Sequence, residues 1–338
     1  MSNILLSIVL TGRNDNYGGD FKERLQRCIS WTHQQLTANR ISSEIVFVNY
    51  NPLPNPEIEG FINWPASNEF VLVRIVTVPA TVHTALVSDG KRKNVPLLEY
   101  PAKNAGIRRA KGEYILCINP DIIIPSEIFG LLKSAQKDYY YRVNRFDFDK
   151  SSEQTDLNEI RKNITKIWLK GYSKDFSDST SADLKLLKTR AERLWYYGSY
   201  TFKSLFNPLF RLIWGTEYHA KAEMKYHCNV SGDFMMMHRD NWYKLRAHNE
   251  QSFISLHVDS LMVIQAAASG LKEKVFPIPI YHKEHTRRYD ATDENPQYRS
   301  AYLSFQEEAQ KMLREKKPAI YNDENWGLNK FELEEKII

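Results

Sequence analysis

The chain has 338 residues, of which 42% are hydrophobic and 26% are charged, as in an ordinary globular protein. These fractions exclude a collagen-like, a disordered or a disulfide-scaffold protein, and the length predicts one large domain or about two smaller ones. The formal net charge of +5 is too small to indicate nucleic-acid binding by itself.

The cysteines and the apolar runs indicate the cellular compartment in which the protein is expected. Cys28, Cys117 and Cys228 lie far apart and form no C-x-x-C pair, which favours a reducing environment. The first apolar run has no basic segment before it, so it predicts a strand and not a signal peptide. No run approaches the ~20 apolar residues of a transmembrane helix. We therefore expect a cytoplasmic protein, with contact to a membrane surface as an alternative.

The first 130 residues alternate between strand and helix patterns. A continuous apolar run at 4–10 predicts a strand buried on both faces, and residues 21–36 carry apolar side chains at helical spacing. Further elements are predicted in chain order: strands at 43–51 and 68–79, a helix at 102–110 and a strand at 112–121. This alternation is typical of an open α/β sheet, in which ligands bind outside the carboxyl ends of the strands.

Residues 133–225 differ in composition and show no clear strand pattern. The stretch 161–225 has more than twice as many Lys and Arg as Asp and Glu residues, and aromatic residues are interleaved with basic ones at 192–214. One interpretation is a segment that meets anionic lipid headgroups or a lipid-linked acceptor. The other, which we favour, is an amphipathic helical insert packed on the core. The α/β character returns at 226–285, and a helix is predicted at 300–316.

Asp121 is the first candidate for chemistry, because it follows a buried strand and precedes another apolar run. A carboxylate at this edge of a sheet can hold a divalent cation that bridges two phosphates. The alternative is a plain turn, since Asn-Pro-Asp is a favourable turn sequence.

The segment AKNAGIRRAKGEYILCINPD at 102–121 resembles the central signature of GT-A-fold glycosyltransferases of the family 2 type. In that family an Arg/Lys-Asn pair opens a helix, Ala-x-Gly-Glu/Asp-Tyr leads into a strand, and a D-x-D-type motif ends it. Lys103 and Asn104 match the pair, and Asn119 to Asp121 matches the acidic motif with Asn in place of its first Asp. The resemblance implies that Lys103, Asn104, Asn119 and Asp121 bind the donor nucleotide-sugar and that Asp121 also binds the metal.

The segment 228–270 is similar to the family's acceptor half, in which an acidic motif opens a helix that ends at Gly. Counting back from Gly270 places Asp259 on the Asp of that motif, while Val258 replaces its Glu. The resemblance implies that Asp259 is the base that accepts the proton of the acceptor hydroxyl. Without the resemblance, Asp259 would be an ordinary residue of a first helical turn.

Three further residues are candidates for binding the acceptor: Gly232, Asp233 and His257. Asp233 lies in a Gly turn before an apolar run and is also the alternative base, although a turn Asp has the same pattern. His257 lies two residues before Asp259, where it can either orient the acceptor or be buried beside the helix start.

His282 and His285 follow a Pro-flanked strand, where related GT-A enzymes often have a metal-binding histidine. The resemblance therefore implies that His285 or His282 completes the metal site with Asp121. Imidazole, carboxylate and diphosphate oxygens suit Mn²⁺ or Mg²⁺, and Mn²⁺ tolerates nitrogen better. A lone histidine would more often be an ordinary surface residue.

Two loops are expected at the nucleoside. The loop after the first strand contacts the base and ribose in this fold, and it contains Thr11, Gly12 and Arg13, of which Arg13 can pair with a phosphate. Asn49 and Asn51 end the second strand where the family usually has an Asp, and an amide can read the edge of a uracil or thymine.

We therefore predict an α/β protein of the GT-A type: a Rossmann-like, nucleotide-binding mixed sheet flanked by helices, with a helical insert and a C-terminal extension. Its expected activity is inverting transfer of a hexosyl or deoxyhexosyl group. The donor would be a UDP- or dTDP-sugar, and the acceptor a hydroxyl of a glycan or glycolipid. The predicted divisions are a nucleotide-sugar-binding half at 1–130, the basic and aromatic insert at 131–225, an acceptor-binding and catalytic half at 226–290, and a helical tail at 291–338.

Two other classes stay open. A nucleotidyltransferase on a related sheet would have a Gly-rich, basic loop after its first strand, of which TGRNDNYGG is a poor version. A non-catalytic sugar- or membrane-surface-binding module would account for the missing acidic residues. Nucleic-acid binding rests only on the basic stretch and is not expected.

Overall fold

The computed structural model describes residues 4–88, 90, 92, 94–149, 156–209, 221–251, 256–286 and 295–338. The strands in these residues form one mixed sheet. In chain order they are β1 (Leu6–Gly12), β2 (Ser43–Tyr50), β3 (Val71–Val78), β4 (Tyr114–Cys117), β5 (Ile122–Ile123), β6 (Tyr139–Phe148), β7 (Ile164–Leu169), β8 (Tyr172–Asp175), β9 (Met235–His238), β10 (Lys272–Lys283) and β11 (Glu334–Ile337). Their order across the sheet is β11-β3-β2-β1-β4-β9-β6-β10-β5, and β7 and β8 extend it from β6.

Helices lie on both faces of this sheet, so the mixed α/β architecture expected from the sequence is confirmed. In chain order the helices of the described residues are α1 (Phe21–Ala38), α2 (Ile58–Phe61), α3 (Ala80–Leu86), α4 (Glu99–Arg109), α5 (Ser126–Leu132), α6 (Leu157–Lys162), α7 (Ala182–Leu205), α8 (Ala222–Lys225), α9 (Arg239–Leu245), α10 (Val258–Ala268) and α11 (Pro296–Glu315). None of them combines the length and the apolarity that crossing a bilayer requires.

The parallel strands β3, β2, β1 and β4 form the first half of the sheet, as the sequence predicted. Alternate residues of a strand point to opposite faces, so β1 sends Ile8 to the core under α1 and Val9 to the core under α4. Every residue of β1 and β2 is buried, because helices cover both faces. The loops that follow β1, β2 and β4 therefore meet at one edge.

The second half is mixed. β9 pairs antiparallel with β4 and with β6, β10 runs parallel to β6, and the short β5 pairs antiparallel with the end of β10. The register of β5 and β10 sets His282 opposite Ile122, next to Asp121. This pairing brings the end of the last long strand to the turn after β4.

The expectation that residues 133–225 lack strands is wrong. β6 is ten residues long and lies inside the sheet, and β7 and β8 follow it. β6 shows no apolar strand pattern because three of its buried positions hold charged residues: Arg142, Arg145 and Asp147. These residues have partners elsewhere in the chain. The helical part of this segment is chiefly α7, and residues 150–155 and 210–220 of it lie outside the described residues.

The tail contains the predicted helix, which the structure places at α11. It also contains a strand that the sequence analysis did not predict, since β11 pairs antiparallel with β3 at the edge of the sheet. Glu335 of β11 forms an ion pair with Arg74 of β3, and this charge explains why the strand did not show an apolar pattern. The tail therefore completes the sheet and is not only helical.

Candidate active site

Asp121, His282 and His285 come together at the carboxyl edge of the parallel strands. One ligand atom of each residue lies within 4.8 Å of the others. Nε2 of His282 and of His285 lie 3.6 Å and 3.1 Å from Oδ2 of Asp121. His282 is the last residue but one of β10, and His285 follows the strand. The sequence named these three residues as metal ligands, and the structure brings all three to one point.

The charges in this cluster suit a cation. Burial by itself would raise the pKa of Asp121, but the two imidazoles lower it well below its usual value. Burial and Arg145 lower the pKa of His282, but Asp121 and Asp147 raise it by more than this. The pKa of His282 is therefore raised, to about 9. Oδ1 of Asp121 is buried and has no hydrogen-bond partner among the described residues. One carboxylate and two imidazoles fit Mn²⁺ or Mg²⁺, with Mn²⁺ favoured by the nitrogen ligands.

Arg24 is a further group at the cluster that the sequence analysis did not name. Its Nη1 lies 3.0 Å from Oδ2 of Asp121, and its Nε lies 2.7 Å from Oδ1 of Asp20. The turn at Tyr17–Gly19 lies against it, since a Cβ on Gly18 would lie 2.8 Å from the Arg24 guanidinium and 3.0 Å from the His285 ring. Gly18 has a φ of 75° and is the residue that allows this close approach.

A second cluster surrounds Lys103, which is fully buried. Its Nζ donates hydrogen bonds to Oδ1 of Asn119 (2.6 Å), to Oε1 of Glu99 (2.8 Å) and to the Gly232 carbonyl (3.1 Å). Burial lowers the pKa of Lys103, but the carboxylate of Glu99 and other anionic neighbours raise it above its usual value. A permanent positive charge therefore lies between the turn after β4 and the Gly turn before β9.

Asn119 links this lysine to the acidic groups of the second half. Its Nδ2 donates to Oδ1 of Asp233 (2.6 Å), whose other oxygen is paired with Arg145. Arg145 also pairs with Asp147, and Oδ1 of Asp147 lies 3.2 Å from Nδ1 of His282. Polar contacts thus run continuously from Lys103 to the metal-ligand cluster.

Asp259 lies in the first turn of α10 and is half-buried. Its Oδ2 accepts a hydrogen bond from the Gly232 backbone N–H (2.6 Å), and its Oδ1 accepts one from the Ser260 N–H (2.9 Å). A Cβ on Gly232 would lie 3.2 Å from Oδ2 of Asp259 and 3.6 Å from Nζ of Lys103. Gly232 therefore lets the predicted base, the buried lysine and the predicted acceptor turn share one small space.

The residues predicted at the nucleoside also meet. Thr11 and Gly12 end β1, whereas the sequence predicted them in the loop after it. Nε of Arg13 donates to the Asn51 carbonyl (2.6 Å), and Oγ1 of Thr11 donates to the Val48 carbonyl (2.9 Å). Oδ1 of Asn49 is buried without a hydrogen-bond partner among the described residues. Gly12 packs against Phe21, whose ring atom would lie 2.4 Å from a Cβ there.

Two predicted residues lie away from these clusters. Asn104 points to the other side of α4, where its side chain holds the backbone of His248 and the carboxylate of Glu250. His257 adopts a left-handed conformation, and its ring stacks on Phe305 of α11 with centroids 5.2 Å apart. It lines a cavity of about 420 Å³ between α10 and α11.

Sequence reasoning missed Arg24, Glu99, Arg145 and Asp147. Arg24 had a signal, because it falls on the buried face of α1 between Phe21 and Cys28. Glu99 also had one, because it lies one helical turn before its partner Lys103. For Arg145 and Asp147 the spacing of two residues is visible, but their contacts with Asp233 and His282 are distant in the chain.

No family model and no curated protein matches the chain. Among solved structures, it is similar to GalNAc-T7 with UDP, GalNAc and Mn²⁺, at 11% identity over 96% of this chain and 53% of that chain, with a TM-score of 0.47. It is also similar to S. aureus TarS 1-349, at 9% identity over 83% of this chain and 60% of that chain, with a TM-score of 0.40. The chain thus spans less than two thirds of either protein structure.

Proposed function

We propose that this chain is a glycosyltransferase that moves a sugar from a nucleoside-diphosphate donor to a hydroxyl of a glycan or glycolipid. The observation that carries the proposal is the Asp121, His282 and His285 cluster beside Arg24, at the sheet edge where the loops after β1, β2 and β4 meet. The sequence resemblance to GT-A-fold enzymes of the family 2 type agrees with this position.

The donor diphosphate would lie against the metal-ligand cluster. Asp121, His282 and His285 would hold Mn²⁺ or Mg²⁺, which neutralises the charge that develops on the departing diphosphate. Arg24 keeps the Asp121 carboxylate in place through its 3.0 Å contact, and Asp147 orients His282 from its other ring nitrogen. The nucleoside would extend toward Thr11, Gly12, Arg13, Asn49 and Asn51, and a UDP- or dTDP-sugar fits the amide at position 49.

Asp259 would act as the base. The acceptor oxygen attacks the anomeric carbon, its proton passes to a carboxylate oxygen of Asp259, and the bond from that carbon to the diphosphate breaks with its electrons on the phosphate. The Gly232 N–H fixes Oδ2 of Asp259 at 2.6 Å, so the carboxylate is held in one orientation. In-line attack of this kind inverts the anomeric centre, and Gly232 and Asp233 would lie on the acceptor side. The ring of His257 stacks on Phe305, so we do not include it among the acceptor-binding residues.

The buried charges of Lys103 and Arg145 have a supporting role in this reaction. Lys103 donates to Asn119 and to the Gly232 carbonyl, and it thereby fixes the turn whose N–H holds Asp259. Arg145 pairs with Asp233 and Asp147 and so connects the acceptor turn with His282. A rigid arrangement of this kind aligns donor and acceptor before reaction.

The first test is a thermal-shift screen of UDP, dTDP and GDP, each with and without Mn²⁺. A ligand that binds the native state raises its stability by mass action, by about 2.7 kcal/mol at one hundred times its Kd. We expect one nucleotide to raise the Tm only with metal, and Asp121→Asn to abolish the shift. Asp138→Asn, an exposed carboxylate of the same type, is the matched control and should keep it.

Release of free nucleoside diphosphate from the matching nucleotide-sugar then tests the reaction itself. Pyrophosphate release from a nucleoside triphosphate and a sugar phosphate would instead indicate a nucleotidyltransferase. The proposal is wrong if no nucleotide shifts the Tm in the presence of Mn²⁺, or if Asp121→Asn shifts as the parent chain does.

A further inference from the structure

Helix α7 carries its apolar side chains on the outside. Leu194, Trp195 and Leu205 are 74%, 76% and 73% exposed, which is unusual for large apolar side chains on a long helix. Six exposed residues, which we call the outer stripe, are spaced so that they fall on one face of the helix: Leu184, Leu187, Leu194, Trp195, Phe202 and Leu205. The stripe runs along nearly the whole helix, which is about 36 Å long for 24 residues.

The opposite face of α7 is attached to the protein by polar contacts and, near its start, by Ala182 and Leu186, which pack in an apolar cluster. Lys185 is buried, and its Nζ donates to the carbonyls of Ile164 (2.8 Å) and Asp178 (2.7 Å). Farther along, Glu192 pairs with Lys174, and the Tyr197 hydroxyl donates to the Lys170 carbonyl (2.7 Å). Turning the helix to bury the stripe would break these contacts, and Lys185 and Glu192 would gain no other partners among the described residues in exchange. The outward position of the stripe is therefore fixed by the contacts of the inner face.

The charges at the borders of the stripe identify what it can meet. At 100° per residue, Lys188 and Arg190 flank the stripe on its two sides, and both are exposed. Asp183 also borders the stripe, on the Arg190 side, and its charge is paired with Arg161. The helix has five basic residues, Lys185, Lys188, Arg190, Arg193 and Lys203, and two acidic ones, Asp183 and Glu192. If two copies of the chain met through this face, the basic residues beside one stripe would repel those beside the other. An anionic lipid surface attracts the same residues.

We propose that the outer stripe of α7 lies in the surface of an anionic membrane, with its apolar side chains at the level of the acyl-chain boundary. A helix of this kind has an apolar face with Trp, Phe and Leu, and basic residues where the helix meets the headgroups. Trp195 and Phe202 supply aromatic rings, which favour the membrane–water interface. The proposal does not depend on the glycosyl-transfer activity.

Sedimentation of the full chain with vesicles tests this proposal. The vesicles are phosphatidylcholine alone, and phosphatidylcholine with about 30% phosphatidylglycerol, an anionic content that gives a negative surface potential. We expect binding to the anionic vesicles that weakens with added salt. Leu194→Glu/Trp195→Glu should weaken it at least about tenfold, because burial of each side chain contributes roughly that factor. Leu303→Glu, on the exposed face of α11, is the matched control and should bind as the parent chain does.

A second measurement reports the position of Trp195 itself, since the chain has seven tryptophans. Trp195→Phe keeps an apolar ring and should still bind the anionic vesicles. Brominated lipids should quench the fluorescence of the parent chain more strongly than that of Trp195→Phe. This difference distinguishes insertion of the stripe from adsorption of the protein through its net charge.

Three results would overturn the proposal. The first is no binding of the parent chain to anionic vesicles, and the second is binding that Leu194→Glu/Trp195→Glu retains. The third is a dimer, detected by light scattering, that does not bind vesicles and that the double variant converts to a monomer. That result would assign the stripe to a second copy of the chain.

Discussion

The two halves of the sheet are held together by different interactions. In the parallel half, most buried side chains of β1 and β2 are apolar and lie on both faces, so their stability comes chiefly from the removal of apolar surface from water. The charged exception is Glu44 at the amino end of β2, which pairs with Arg74 of β3. In the mixed half, β6 buries Arg142, Arg145 and Asp147 among distant partners. The proposed active site lies where the halves meet, so its loops rest on a rigid apolar support while its charged groups are held by ion pairs. The comparison implies that stability and chemistry can be changed separately.

The largest effect on stability is expected in the mixed half, for Arg145→Ala. This change leaves the buried carboxylates of Asp233 and Asp147 without their cation, and breaking a buried pair in this way costs about 3–5 kcal/mol. Denaturant unfolding measures the loss. Lys137→Ala removes the exposed pair with Asp240 and should cost less than about 1 kcal/mol. Equal losses for the two variants would contradict the distinction between buried and exposed charge.

The largest effect on rate with little loss of stability is expected for Asp259→Asn. The amide oxygen can keep the hydrogen bond from the Gly232 N–H, whereas the bond from the Ser260 N–H is lost and the amide cannot accept the acceptor proton, so we expect turnover to fall about 10²- to 10⁴-fold. Release of nucleoside diphosphate measures turnover, and the Tm checks the fold. Asp240→Asn, an exposed carboxylate at the start of α9, should leave turnover unchanged. Near-normal turnover in Asp259→Asn would exclude this residue as the base.

The sequence was sufficient where apolar periodicity decides the structure. The strands β1 to β4 and the helices α1 and α11 were predicted at nearly their observed positions, because their buried residues are chiefly apolar and either continuous or regularly spaced. Helix α4 was predicted too, although its buried residues include Lys103 and Asn104. The approach of Asp121 to His282 and His285 was also expected, since the resemblance to a known family supplied their common role.

The sequence was not sufficient where a buried charge needs a distant partner. Arg24 and Asp121 are 97 residues apart, and Arg145 and Asp233 are 88 residues apart, so no local pattern marks these pairs. Such charges made β6 appear to belong to a polar insert. The same reason applies to α7, where the amphipathic pattern was visible but the contacts of Lys185 and Glu192 decide which face points inward.

Glu250 gives a pH-dependent prediction for the contact between α4 and the tail. Burial raises the pKa of its carboxyl to about 7, against hydrogen bonds from the Gly327 N–H and from Asn104. Because the folded state holds the proton more tightly than the unfolded state, this group lowers stability as the pH rises from about 4.5 to 7, by on the order of 3 kcal/mol. Above that range its effect stays constant.

Unfolding free energies at several pH values between 4.5 and 8 test this prediction with Glu250→Gln. The variant should become more stable relative to the parent chain as the pH rises through this range. Glu324→Gln, an exposed glutamate nearby in the tail, should follow the parent chain at every pH. Parallel curves for the parent chain and Glu250→Gln would mean that the Glu250 carboxyl has the same pKa in the folded and unfolded states.

The smallest effect is expected in the parallel half, for Ile45→Val in β2. Ile45 is fully buried, and the loss of one methylene group should cost about 0.5–1.5 kcal/mol. Because no charge contributes to this loss, it should be the same at pH 5 and pH 8 and at low and high salt, in contrast to the losses at Arg145 and Glu250. Nucleotide binding with Mn²⁺ should not change, since Ile45 lies in the core under α1 and away from the site. A loss that varied with salt would show that the apolar half is not independent of the buried charges beside it.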